Sequence, residues 1–307
     1  MSPLPAEHRF RIVAWLLPLA LVFASCANEG EPVPRRVVAI ATTSILGDIA
    51  RGVIGDQGDV EVLIPMGANS HEFQPSARQA SRIAGADLVV ASGLGLEQGL
   101  QDVLEAADED GAHVIELAPL VDPLPFSEQA GRSEDPHFWM DPVRVGDAAL
   151  ALAADLTEIY PDGAWEEQAR EYVAEMESTD RTIRDLVEQI PEADLQMVTN
   201  HEAFGYFAAR YGFEVIGVVI PGGSTLAEPS SAELAGLVET MKREGAKAIF
   251  TEVGQSSTLA RSVAAEVGDE VQIVELFTES LGPPGSGAET LREMLLTNAR
   301  RIAAALG

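Results

Sequence analysis

The chain has 307 residues, 46% of them hydrophobic, with modest Gly and Pro; that is long for one core, suits two domains, and excludes a disordered protein. Its formal net charge of −29 repels phosphates, which excludes nucleic acid as a partner. Such acidity also draws cations in bulk, although a general acidic bias explains it equally well.

The first 25 residues read as a secretory signal. His8, Arg9 and Arg11 are weakly basic, and residues 12–23 (IVAWLLPLALVF) form an apolar run too short to span a bilayer comfortably. The run leads into Ala24-Ser25-Cys26, similar to the lipobox of bacterial lipoproteins, with Phe23 where Leu or Val is usual. Cys26 is the only cysteine, so it lacks a partner for an internal disulfide. That favours lipidation at Cys26; plain cleavage near Ala24 is the alternative. Residues 26–36 are a polar tether. No other stretch is apolar enough to cross a membrane. The expectation is an exported protein held at the cell membrane by its N-terminus.

From residue 37 short β-branched runs alternate with helical stretches. VVAIATTS (37–44) predicts a strand and ILGDIARGVIG a helix; VEVLIP (60–65) is the next strand, followed by a helix over 76–84. DLVVASG (87–93), a helix through LEQGLQDVLEAA, and HVIEL (113–117) continue the pattern. An acidic, Pro-containing connection (118–136) leads to HFWMDP and a helix over 143–159. Residues 163–190 lack Gly and Pro after the first position, and their apolar residues recur at three and four. That predicts one long helix of roughly 40 Å, or two shorter ones broken near Ser178-Thr179. A second alternating block follows through QMVTN, EVIGVVI, KAIFTEV and VQIVELF, closing on a helix from ETLREMLL. Strand–helix alternation implies parallel βαβ units. The predicted fold class is therefore α/β, two parallel-sheet lobes (37–162 and 191–307) joined by the helix over 163–190.

Of five histidines, His71, His137 and His201 stand where an element ends and a loop begins. They are far apart in sequence, so only folding can gather them. If they do meet, a metal ion is the obvious reason, and three imidazoles suit zinc. Taken singly, each is more commonly an exposed loop histidine or a helix-end partner. His113 opens a strand at the other side of its lobe and reads as structural. In open α/β sheets ligands bind beyond the carboxyl ends of the strands; Glu279 follows VQIVELFT there, and Glu252, in FTEVGQ, competes with it for the fourth place. Glu202 beside His201 resembles the start of HExxH, but position 205 is Gly205, so the zinc-protease motif is absent. There is no Walker A loop, GxSxG or CxxC. A metallohydrolase would need an open coordination position, with Glu202 or Glu252 as base.

Four segments carry a family resemblance: PMGANSHEFQPSARQ around His71, HFWMDP around His137, VTNHEAFGYFAARYG around His201, and LFTESLGPPGSGAETLREMLLTNARRI near the end. Over about residues 37–307 the chain resembles the metal-binding receptors of bacterial zinc and manganese ABC importers, with their TroA-like fold. The resemblance implies a rigid helix joining the lobes, and a monomeric receptor, not an enzyme, that captures metal and delivers it to a permease. It also implies that His71, His137, His201 and Glu279 are the ligands, in the cleft between the lobes. In two respects the chain departs from its relatives. They usually carry Asp at the fourth position, and many zinc-specific members have a His-rich loop where this chain has SEQAGRSEDP. A histidine at the third position favours Zn2+ over Mn2+, the alternative cargo, because manganese prefers oxygen donors. Unperturbed imidazoles would make binding weaken as pH falls through about 6–6.5.

Overall fold

The computed structural model describes residues 36–126, 134–221, 228–268 and 270–307. The expected signal, Cys26 and its tether, and most of the SEQAGRSEDP and PGGSTLAEPS loops, lie outside the described residues.

The first half contains β1 (Val37–Ala41), α1 (Ser44–Ile54), β2 (Gly58–Val62), α2 (Ala77–Ile83), β3 (Leu88–Ala91), α3 (Gln101–Glu109), β4 (Val114–Glu116) and α4 (Pro142–Ile159). After α5 (Trp165–Val187) come β5 (Gln196–Thr199), α6 (Gly205–Tyr211), β6 (Glu214–Val218), α7 (Ser231–Glu244), β7 (Ala248–Glu252), α8 (Thr258–Val267), β8 (Gln272–Leu276) and α9 (Leu291–Leu306). Each half holds a four-stranded parallel sheet with the same order, β2-β1-β3-β4 and β6-β5-β7-β8. The strands are shorter than their apolar runs because chain reversal begins early. The hydroxyl of Thr43 accepts the amide of Leu46 and starts α1 inside the run VVAIATTS. Capping boxes at Ser76/Gln79, Ser230/Glu233 and Thr290/Glu293 start α2, α7 and α9.

Strand alternation sorts the core into three. Ala39, Ala41, Leu88 and Val90 face inward, whereas Ile40, Val89 and Ala91 pack outward with Ile83 and Leu104. In the second sheet Met197 and Phe250 face inward, and Val198 and Ile249 pack outward with Val238 and Val263. The inward set is one continuous cluster running from Val37 through α1, α4, α5 and α9 to Phe250 and Leu276. The two sheets thus share a central helical layer. Each large side chain sealed in it, such as Trp139 or Phe250, contributes roughly 1.5–3 kcal/mol by burial.

Helix α5 is unbroken at Ser178-Thr179. Its hydroxyls are absorbed within the helix: Thr179 donates to the carbonyl of Glu175 at 2.9 Å and Thr182 to that of Ser178 at 3.0 Å. The helix packs on α1 and α4 of the first half and on α9 of the second. At its inner face Asp180 accepts from Arg210 Nε (2.7 Å) and Nη2 (2.8 Å), Arg184 Nε (3.1 Å) and the Tyr211 hydroxyl (3.0 Å). Arg210 Nε also lies 3.0 Å from Oδ1 of Asp141, the residue that caps α4. Among the described residues no helix is long and apolar enough to cross a membrane.

Asp180→Ala removes one of the two carboxylates facing Arg210 and the acceptor of the Tyr211 hydroxyl, while Asp141 still pairs with Arg210, so the loss is about 1–3 kcal/mol. Guanidinium unfolding of the variant is expected to show that loss of stability.

Candidate metal centre

Both sheets end at the same seam. His71 lies in the turn after β2, His201 stands two residues past the end of β5, Glu252 ends β7, and Glu279 follows β8. His137 precedes a single 3-10 turn (Phe138–Met140) that runs into α4. Short local bonds fix each loop. The Asn69 side-chain oxygen accepts the backbone N–H of His71 at 3.0 Å. Asp141 caps α4 through the amide of Val143, with Pro142 at the first helical position, where its missing N–H costs nothing. Tyr206, from the second half, donates to the carbonyl of Asp135 at 2.7 Å and accepts from Leu124 N–H at 3.1 Å, so it steadies the loop that leads to His137.

The three imidazoles are buried, with ring centroids 5.4–6.0 Å apart. Their Nε2 atoms lie 3.6 Å (His71), 3.2 Å (His137) and 3.2 Å (His201) from Oε1 of Glu279. One ligand atom from each of His71, His137, His201 and Glu279 falls within 4.8 Å of all the others. These four atoms are buried and none has a hydrogen-bond partner among the described residues. Buried polar atoms are ordinarily satisfied, and four potential ligand atoms facing one point would be satisfied together by a cation.

The carboxylates behind the ring explain how the nitrogens are aimed. Oδ1 of Asp135 accepts both the backbone N–H and the Nδ1–H of His137, at 2.9 and 2.7 Å. Oε1 of Glu252 accepts Nδ1–H of His201, and Oε2 of Glu252 is held by the Thr278 hydroxyl at 3.0 Å. An ionised carboxylate can only accept, so Nδ1 carries the proton and Nε2 presents its lone pair. Burial disfavours charge on His137, but Asp135 and Glu279 outweigh it and raise its pKa to about 8. Burial likewise opposes charge on His201, and Glu252 more than reverses it, holding the pKa well above the ordinary value. Glu279 is pulled well below the usual carboxylate range by the imidazoles, against the pull of burial.

Glu252, the sequence-level rival of Glu279, thus stands behind His201, and Glu279 occupies the centre. His113 pairs with Asp155 at 2.7 Å, away from the cluster. Glu202 lines the cleft beside Phe126 and Asp135. A Cβ at Gly205 would come within 2.9 Å of the Asp135 carboxylate, so position 205 leaves room for that carboxylate and supplies no ligand. Sequence reasoning missed Asp135, Ser70 and Thr278. Their one signal is adjacency, since each lies within two residues of a ligand candidate.

A family model described as the zinc-uptake complex component A, periplasmic, matches residues 39–305. The manganese-binding lipoprotein MntA of Halalkalibacterium halodurans is 30% identical over 288 residues, 92% of this chain and 94% of that protein. The zinc-binding lipoprotein AdcA of Streptococcus pneumoniae is 29% identical over 276 residues, 85% of this chain and 54% of that protein. Among solved structures, the periplasmic zinc-binding protein TroA of Treponema pallidum superposes with a TM-score of 0.81 at 25% identity, over 89% of this chain and all of that one.

Asp135→Asn removes the charge that holds His137 up while leaving its burial. In metal-free protein, NMR titration of the histidines is expected to show the His137 pKa falling from about 8 towards or below its ordinary 6.5.

Proposed function

This chain belongs to the periplasmic zinc-uptake component A family, and from that membership we propose that it is the extracytoplasmic receptor that captures zinc and hands it to an ABC importer permease. The family is one of solute receptors, so the chemistry is capture and release rather than turnover. The observation that carries the reading is the set of four buried, unpartnered potential ligand atoms of His71, His137, His201 and Glu279. Three nitrogens and one carboxylate oxygen make a closed four-donor set. Closed sets hold zinc, whereas catalytic zinc keeps a position open for water. This argues against a metallohydrolase.

Manganese is the second reading, and a specific observation keeps it in play: the relative MntA is named for that metal. The donor set favours zinc, since manganese prefers oxygen. We assign lipidation to Cys26, a tether to 26–36, a signal to 1–25, and lobes to 37–162 and 191–307, with the helix over 163–190 as a strut. The lipoprotein names of relatives support the anchoring. In this reading the receptor is a monomer. The strut and the shared core oppose wide lobe motion, so release proceeds through the ligand-bearing loops when the permease docks.

His201→Ala removes one nitrogen and leaves Glu252 facing an empty space. Zinc affinity by chelator competition is expected to fall at least about tenfold, given what even outer-shell losses cost; an unchanged affinity would refute the ligand assignment. The pH window lies higher than free imidazole suggests. His137 is protonated below about 8 in metal-free protein, and a protonated nitrogen cannot ligate. Apparent affinity should therefore decline from about pH 8 downward, and zinc binding at pH 7 should release protons. Calorimetry in buffers of different ionisation enthalpy measures that release.

A further inference from the structure

The two oxygens of Glu279 have different surroundings. Oε1 stands among the three Nε2 atoms, 3.2–3.6 Å away. Oε2 accepts the hydroxyl hydrogen of Ser70, the residue before His71, whose side chain is sealed in the interior. The loops carrying this contact are laced together. Gly67 N–H donates to Ser280 Oγ at 3.1 Å, Leu281 N–H donates to Ser44 Oγ at 2.9 Å, and Trp139 Nε1–H donates to the Thr278 carbonyl at 2.8 Å. A swing of the carboxylate that brought both oxygens to the centre would break the Ser70 bond and leave a buried hydroxyl unsatisfied.

We infer that Ser70 is a specificity-determining residue: by holding Oε2 of Glu279 it confines the carboxylate to one-oxygen ligation and keeps the site four-coordinate. Four donors, three of them imidazole, suit a tetrahedral ion, whereas manganese seeks six oxygen-rich contacts. The longer arm of glutamate belongs to the same device, since it lets one oxygen reach the histidines while the other stays with Ser70. This inference rests on the cluster being the cargo site.

The test is Ser70→Ala in the full chain, with zinc and manganese affinities measured separately by chelator competition and the zinc environment read by X-ray absorption. With Oε2 released, the ratio of zinc to manganese affinity is expected to fall about tenfold, the scale of outer-shell effects on metal sites. The zinc spectrum should change from three nitrogens and one oxygen to a set with a second, longer oxygen. A purely structural Ser70 would weaken both metals alike, and a ratio within about twofold of the parent would overturn the inference. Glu279→Asp supplies the second arm. Its carboxylate is one methylene shorter and withdraws from Ser70, so adding Ser70→Ala there should leave the ratio unmoved. An equal shift in both backgrounds would mean that the effect does not pass through Glu279, and the inference would fall. Zinc binding that is lost in His201→Ala but insensitive in its selectivity to Ser70→Ala sinks this inference alone. Zinc binding indifferent to His201 sinks the site reading and this inference with it.

Discussion

Three imidazole nitrogens and one carboxylate oxygen point at a common centre and, among the described residues, have only one another there. The carboxylate oxygen and the Nε2 atoms of His137 and His201 are acceptors, and lone pairs repel in a dry interior. Something positive must join them: a metal ion, or protons carried by the rings themselves. Much of the surrounding structure follows from that demand. Asp135 and Glu252 sit behind two of the rings, where they turn Nε2 inward and make it a stronger donor. The same negative charge that strengthens a nitrogen towards metal strengthens it towards a proton, so tight capture and acid sensitivity have one physical origin. Metal capture through these rings therefore depends on the pH around the protein.

Most of the architecture was legible in the sequence because it rests on periodicity. The runs VVAIA, LVVA, QMVT and AIFTE become strands, and the long uninterrupted stretch after Gly163 becomes α5. What shifted were the ends. Apolar runs overstate strand length where a hydroxyl such as that of Thr43 turns the chain into a helix before the run is finished. Helix ends move for similar reasons. In α5 the first turn waits for Trp165, because Gln57 Oε1 accepts the amide of Ala164 at 2.8 Å and the indole N–H donates to the Tyr160 carbonyl at 2.7 Å. No periodicity encodes either contact.

The centre was half legible. Histidines at loop starts and a carboxylate after the last strand point to four residues. Choosing Glu279 over Glu252 is harder, because both stand at the carboxyl ends of adjacent parallel strands of one sheet. The difference between them is three-dimensional: Glu252 ends a strand beside His201, and Glu279 lies on a loop long enough to carry it across to the first half. Ser70 shows the same limit. A serine beside a histidine is common in any loop, and only the approach of the 278–281 segment gives its hydroxyl something to hold.

The shared interior has a further consequence. The two halves repeat one strand order, which suggests interchangeable modules, yet their inward faces dissolve into a single cluster through α1, α4, α5 and α9. A half transplanted from a relative would bring sheet faces shaped for a different helical layer. Recombination between such genes is thus penalised at the level of packing, while point changes in the loops at the seam disturb little of the interior. In a frame of this kind a change of cargo costs least at the seam, where few side chains make up the donor set, and most in the helical layer that both sheets share.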